Sequence, residues 1–138
     1  MNISARVTNR RGEHTVTLRT EGREHALMIA PKAEGLGSSA NGGELLFLAL
    51  ATCYCNDIYR EARKRGIEVE HVQVEVTGEF GAEGEGAREI RYRASVDAKA
   101  PREGILELMR HTDSVAEIHN TVRRSAPVVL SECEARET

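Results

Sequence analysis

The chain is poor in aromatic residues, since its 138 residues include two Phe, three Tyr and no Trp. Few side chains are therefore available to stack on nucleic-acid bases. The formal net charge of −3 also argues against binding to a phosphate backbone, because nucleic-acid-binding domains usually carry a basic patch or stripe. The basic groups Arg10-Arg11, Arg63-Lys64-Arg65 and Arg123-Arg124 are short and scattered. We therefore expect no nucleic-acid partner.

Long hydrophobic runs are also missing. The longest one, Leu45 to Cys55, has about 11 residues, well below the ~20 that span a bilayer. The first residues, 1–7, contain no apolar segment like that of a signal peptide. Three cysteines, an odd number, do not suggest a disulfide framework. These absences predict a cytoplasmic protein without a membrane partner.

The hydrophobic pattern that is present predicts a mixture of strands and helices. Period-two alternation indicates three short strands within residues 3–30 and a hairpin over residues 69–96. Helical spacing predicts a central helix over 42–65 and shorter helices after Pro101 and around 115–122. The apolar residues 128–130 favour a closing strand. Because no repeat or linker interrupts the chain, we expect a single α+β domain over residues 1–138.

The central helix is the most informative segment. Asn41 is suited to cap its first amides, with Glu44 at the third helical position, and Gly66 stands where a left-handed C-cap is expected. The stretch Leu45 to Cys55 is apolar on every side, and such a helix must be buried all round. The remaining elements are too few to cover it. We therefore expect a homodimer whose second copy covers the helix.

Two of the three cysteines lie in this helix. Cys53 is either inert filling or a nucleophile, whereas Cys55 and Cys133 are expected to have no catalytic role. Residues two apart on a helix point about 200° apart, so Cys53 and Cys55 should not bridge. His119 is either a polar residue at a helix surface or a hydrogen-bonding group that faces Cys53. These residues and His111 lack the paired spacing of a structural zinc site, so we expect no metal and no cofactor.

The order of these local signatures resembles the OsmC/Ohr family, the osmotically induced and organic-hydroperoxide-resistance proteins. The resemblance covers almost the whole chain. The segments that carry it are the Gly/Ser-rich loop ending in Asn41, Glu44-Leu45-Leu46, a cysteine twelve residues after that Asn, Arg65 to Glu70, Val76 to Phe80, Asn120 to Arg123 and Pro127 to Leu130. It implies an α+β, OsmC-like fold in which antiparallel sheets wrap around central helices in an intertwined homodimer.

Active members of this family are thiol peroxidases that use a reactive cysteine, a resolving cysteine, an Arg and a Glu. Cys53 matches the reactive position by its spacing from the loop. An Arg lowers the pKa of a thiol, and a carboxylate holds that Arg in place. The Arg is Arg10 or Arg11, between which the sequence does not decide. The family Glu falls at Gly43 here, with Glu44 one position away. The candidate catalytic residues are therefore Cys53, Arg10, Arg11 and Glu44.

The resolving cysteine is absent, because Ala116 stands at its position. The resemblance therefore implies that Cys53 alone reduces or senses small organic hydroperoxides in an oxidative-stress response, and that an external thiol reductant regenerates it. The alternative is a non-enzymatic dimer that has lost peroxidase activity and binds a small apolar ligand over Cys53. A catalytic Cys53 requires Arg10 or Arg11 to point towards it.

Overall fold

The computed structural model describes all 138 residues and contains three helices and two antiparallel sheets. In chain order the elements are β1 (Ile3–Arg10), β2 (Glu13–Thr20), β3 (Arg23–Ala26), α1 (Gly42–Lys64), β4 (Glu68–Phe80), β5 (Ala87–Lys99), α2 (Arg102–Val115) and α3 (Glu117–Arg123). The α+β class predicted from the sequence is confirmed. None of the helices combines the length and the apolar character that a bilayer crossing requires.

The chain divides into two compact units, Met1–Leu46 and Phe47–Thr138. In the first unit, β1, β2 and β3 form an antiparallel meander in that order. Both of its turns place a glycine in the left-handed region, Gly12 at φ 77° and Gly22 at φ 79°, where a residue without Cβ carries no steric penalty. Val16 is a buried hydrophobic residue of this sheet.

Helix α1 begins and ends at the residues that the sequence indicated. Asn41 Oδ1 accepts a hydrogen bond from the Glu44 amide at 2.8 Å, and the Asn41 amide donates to Glu44 Oε1 at 2.9 Å. This reciprocal pair is a capping box. At the other end, Gly66 has φ 66° and the amide of Ile67 donates to the carbonyl of Ala62 at 3.0 Å. That bond and the left-handed glycine define a Schellman-type C-cap.

In the second unit, α1 and α2 pack on one face of the hairpin formed by β4 and β5. Each of these strands has 13 residues, and their burial alternates along the chain. The fully buried cluster consists of Tyr54, Ile58, Ala62 and Leu108, with partly buried residues of both strands packed against it. The Tyr54 hydroxyl donates to the carbonyl of Met109 at 2.8 Å and so links α1 to α2. Burial of each such large side chain contributes ~1.5–3 kcal/mol.

Gly78 in β4 makes room for an aromatic side chain of α1. A Cβ atom at this position would lie 2.6 Å from Cζ of Phe47, closer than real Cβ contacts allow. The ring of Phe47 also stacks on Phe80, with 6.0 Å between the ring centroids. The missing side chain at position 78 therefore lets the Phe47 ring approach the strand.

The closing strand predicted at residues 128–130 is wrong. Val128, Val129 and Leu130 have no strand partner, and they are 98%, 77% and 81% exposed. An apolar run of three residues has strand propensity, but it forms a strand only where a neighbouring edge can pair with it. Here β4 and β5 pair with each other alone.

One face of α1 is uncovered in the chain. Leu48 and Tyr59 are 55% and 42% exposed, and Thr52 between them is exposed as well. These residues recur at the spacing that places them on one side of a helix. The hairpin and α2 cover only the opposite side, where Tyr54, Ile58 and their neighbours lie.

Candidate active site

Cys53 lies in the middle of α1 and is partly exposed. Its thiol donates a hydrogen bond to the carboxylate of Asp57, with 3.5 Å between Sγ and Oδ2. The two residues are one helical turn apart, so the helix itself brings them to the same face. Asp57 is buried on the core-facing side of α1, and the thiol next to it is not part of a disulfide.

Arg60 joins this pair to helix α3. Its Nη1 atom lies 3.1 Å from Asp57 Oδ1 and 2.9 Å from Glu117 Oε1. Its Nε atom lies 2.9 Å from Glu61 Oε2. One guanidinium thus contacts three carboxylates. It donates hydrogen bonds to Glu61 and Glu117 and forms an ion pair with Asp57, so it holds Asp57 and Glu117 in place beside Cys53.

The electrostatics of the site keep a proton on the thiol. Burial raises the pKa of Cys53, and the charge and hydrogen bond of Asp57 raise it further, while a backbone hydrogen bond with Ile118 opposes both. Burial, and then the contact with Glu117, raises the pKa of Asp57. A raised thiol pKa lowers the thiolate fraction at neutral pH. The site therefore pairs a protonated sulfur with a carboxylate that is more basic than usual and positioned to accept its proton.

The same groups meet the distance requirement for a metal site. The ligand atoms of Cys53, Asp57 and Glu117 all lie within 4.8 Å of one another. However, the guanidinium of Arg60 already binds both carboxylates, so a metal ion would compete with a charge that is in place. The contacts present in the site are therefore the thiol–carboxylate hydrogen bond and the ion pairs of Arg60.

The other three candidate catalytic residues belong to the first unit. Arg10 and Arg11 are exposed at the turn between β1 and β2, and Arg10 Nε lies 3.5 Å from Glu13 Oε2. Glu44 exchanges its hydrogen bonds with Asn41 in the capping box. Each residue thus has a local partner or faces solvent in its own unit. Their role at the thiol stays a prediction.

The remaining candidate residues divide between core and surface. Ala116, which stands at the position of the resolving cysteine, is completely buried before α3. Cys55 is partly buried, Cys133 is exposed, and both thiols are free. The interpretation of His119 as a surface residue is wrong, because only 4% of it is exposed. Its ring packs against Tyr92, with 4.7 Å between the ring centroids.

Sequence reasoning missed Asp57, Arg60 and Glu117. A signal for the first two existed, because Asp57 follows Cys53 by four residues and Arg60 follows Asp57 by three. Asp57 lies on the same face of α1 as Tyr54, which is buried. A buried carboxylate is unusual and indicates a charged or hydrogen-bonding partner. Glu117 gave no such signal, since its neighbours in space lie on another helix.

Comparison with known proteins places the chain in one family of folds. Residues 35–131 match the family described as OsmC-like protein. Similar solved structures include an OsmC-like protein from Mycoplasma pneumoniae, with 22% identity, a TM-score of 0.59 and coverage of 88% of this chain and 86% of that chain. Comparison with curated proteins gives no match.

Two further similar structures are organic hydroperoxide resistance proteins. The protein from Elizabethkingia anophelis has 19% identity, a TM-score of 0.59 and 89% coverage of both chains. OhrB of Bacillus subtilis has 21% identity, a TM-score of 0.52 and coverage of 87% of this chain and 90% of its own. At such identities these structures establish the fold. The family match covers residues 35–131, which is most of this chain, and the chain therefore belongs to the OsmC-like family.

Proposed function

We propose that this OsmC-like protein reduces small organic hydroperoxides through Cys53 and that an external thiol regenerates it. The observation that carries the proposal is the hydrogen bond from the Cys53 thiol to Asp57, with 3.5 Å between sulfur and oxygen. Family membership supports a role in the response to peroxides, because organic hydroperoxide resistance proteins are among the similar structures.

In the proposed reaction, the sulfur of Cys53 attacks the terminal oxygen of the hydroperoxide. The S–O bond forms as the O–O bond breaks, so the sulfur is oxidised and the peroxide reduced. The thiol proton passes to Asp57 and then to the leaving alkoxide, which departs as an alcohol. Cys53 is left as a sulfenic acid. One external thiol then forms a mixed disulfide and releases water, and a second thiol releases reduced Cys53 and an external disulfide.

Three further residues belong to this proposal. Arg10 or Arg11 is the proposed cation at the reacting sulfur, and Glu44 is the proposed carboxylate that positions it. An arginine near the sulfur would stabilise the negative charge that develops there as the thiol proton passes to Asp57. Separate replacement of Arg10 and Arg11 by Ala tests which one is needed, because only the contributing arginine should slow the reaction.

A homodimer is also part of the proposal. The exposed face of α1 carries Leu48, Thr52 and Tyr59, of which Leu48 is 55% exposed. A second copy that covered this face would gain roughly 25 cal/mol for each Å² of apolar surface removed from water. The uncovered helix face therefore supports assembly with another copy of the chain.

A second function is favoured by one specific observation. Ala116 is fully buried where a resolving cysteine would be needed, and burial raises the pKa of the Cys53 thiol. Both features oppose rapid turnover. On this alternative, the protein binds a small apolar ligand over Cys53 and carries out no reaction.

The deciding experiment measures peroxide consumption and sulfenic acid formation together. Reduced protein is mixed with cumene hydroperoxide and a small dithiol, and dimedone adducts at Cys53 are detected by mass spectrometry. We expect Cys53→Ser to abolish both signals, and Cys55→Ser, the matched control two residues away, to retain them. Wild-type protein that consumes no peroxide and gives no adduct would replace the enzymatic proposal with the ligand-binding one.

A further inference from the structure

A small cavity lies in the second unit beside His119, and we refer to it as the His119 cavity. Its volume is about 150 Å³. The walls are mostly aliphatic side chains from α1, the hairpin and α3, namely Leu50, Val76, Ile90 and Val122. His119, Tyr92 and Arg123 supply its polar groups, and Cys53 does not line it.

The imidazole of His119 lacks any hydrogen-bond partner. Neither Nδ1 nor Nε2 is bonded, although only 4% of the residue is exposed. Buried polar side-chain atoms almost always have a partner, and an unsatisfied one destabilises the folded protein. The neighbouring hydroxyl of Tyr92 does not supply it, because that group donates to Asp113. One residue in the cavity wall, His119, therefore carries a buried donor and a buried acceptor that have no partner within the protein.

The charges around the cavity favour a neutral guest. Burial lowers the pKa of His119, and the positive charge of Arg123 lowers it further, while Asp113 acts in the opposite direction. Arg123 is itself neutralised by Asp113, with 2.6 Å between Nη2 and Oδ1. A neutral imidazole offers one N–H donor and one nitrogen acceptor. A hydroxyl group can pair with either ring nitrogen, because it can accept from the N–H or donate to the other nitrogen.

The size and walls of the cavity define the rest of the guest. A cavity of about 150 Å³ with aliphatic walls can hold a benzene-sized molecule. We infer that the His119 cavity binds a small neutral alcohol or phenol, with its hydroxyl bonded to His119 and its hydrocarbon part against the aliphatic walls. This site goes beyond the chemistry proposed at Cys53 and does not rest on it.

Phenol and toluene test the inference, because they have nearly the same shape and differ in the hydroxyl group. Each is titrated into ¹⁵N-labelled full-length protein while the ring nitrogens of all histidines are observed. We expect phenol to shift the His119 nitrogens and to bind about tenfold more tightly than toluene, as for one additional buried hydrogen bond. The other four histidines, His14, His25, His71 and His111, are internal controls that should not shift.

A variant separates the hydrogen bond from the hydrophobic contact. His119→Leu is expected to lower the affinity for phenol about tenfold and to leave that for toluene unchanged. His71→Leu, at an exposed strand position, should bind both compounds like the wild type.

Several outcomes would overturn the inference. These are no binding of phenol, equal affinity for both compounds, or a preference for phenol that persists in His119→Leu. A cavity filled by a second copy in solution would appear as no binding. If circular dichroism shows that His119→Leu is unfolded, the ring-nitrogen shifts of the wild type decide.

Discussion

The Cys53 thiol donates its hydrogen bond to the Asp57 carboxylate, with 3.5 Å between Sγ and Oδ2. A thiol next to a cation loses its proton before it reacts, whereas a thiol next to a carboxylate keeps it until a substrate arrives. The raised pKa of Cys53 agrees with the second situation. Cys53 should therefore react slowly with simple alkylating agents and faster with a substrate whose leaving group takes up the proton.

Asp57→Asn should separate these two kinds of reactivity. Burial is the main cause of the raised pKa of Cys53, and the charge of Asp57 adds to it. Removing that charge should therefore lower the pKa and make alkylation near neutral pH faster. The proton acceptor is lost as well, so hydroperoxide reduction should become about 100-fold slower or more.

The measurements for Asp57→Asn are the pH profile of iodoacetamide alkylation and the rate of peroxide reduction, both in a Cys55→Ser, Cys133→Ser background. Asp97→Asn, at an exposed position of β5, is the control. A change in the same direction in both assays would contradict the role of Asp57.

Ala116→Cys should restore a resolving cysteine. With one equivalent of hydroperoxide, we expect a disulfide between Cys53 and the introduced thiol in place of the dimedone-reactive sulfenic acid. The wild-type Ala116 is completely buried, so the added sulfur should cost about 1–3 kcal/mol of stability. Peptide mapping under non-reducing conditions identifies the bond. Ser114→Cys, at an exposed position of α2, should form no such bond. A persistent sulfenic acid in Ala116→Cys would show that this position does not reach Cys53.

Leu48→Arg should prevent dimer formation. Leu48 is 55% exposed on the uncovered face of α1, and an arginine there would place an unpaired charge in the proposed interface. We expect sedimentation equilibrium to show a dimer for the wild type and a monomer for Leu48→Arg. Glu83→Arg, in the exposed hairpin turn, adds the same side chain elsewhere and should remain dimeric. A monomeric wild type would refute the proposed assembly.

Glu61 should make stability depend on pH in the acid range. It is 2% exposed, and its carboxylate contacts Arg60, Lys64, Arg65 and His111. The hydrogen bonds from Arg60 and then Lys64 lower its pKa from 4.5 to about 2. Its contribution to the free energy of unfolding is therefore present above pH 4.5 and is lost as the pH falls towards 2.

Urea unfolding at several pH values measures this effect. The stability of the wild type should fall steeply within that range, whereas Glu61→Gln should be less stable at neutral pH and should change less on acidification. Glu75→Gln, which removes an exposed carboxylate paired with Arg93, is the control and should retain the wild-type slope. An equal slope in Glu61→Gln would mean that other groups cause the acid dependence.

The features that the sequence predicted best are those that depend on residues nearby along the chain. Asn41, Glu44 and Gly66 act within a few residues of themselves, so their capping roles could be read directly. The strand expected at residues 128–130 failed because pairing depends on a distant edge. The partners of Cys53 had the same difficulty, since Glu117 reaches the site from α3.

His119 shows why a short helix is hard to interpret from sequence. Helix α3 has seven residues, about two turns, so its apolar and polar positions do not define a clear buried face. Its burial is decided by Tyr54 and Tyr92, whose rings lie 6.1 and 4.7 Å from the imidazole between centroids. Neither contact is visible in the local pattern around residue 119.

The effects of substitutions at Gly78 and Phe47 depend on each other. A Cβ at position 78 would come within 2.6 Å of the Phe47 ring, so any side chain there displaces the ring from its stack on Phe80. A smaller residue at 47 would remove the clash but leave a cavity when glycine remains at 78. Each single change is therefore harmful, and each becomes acceptable once the other is present. Variants at these two positions should arise as suppressor pairs, and a mutational path that alters only one of them passes through a less stable protein.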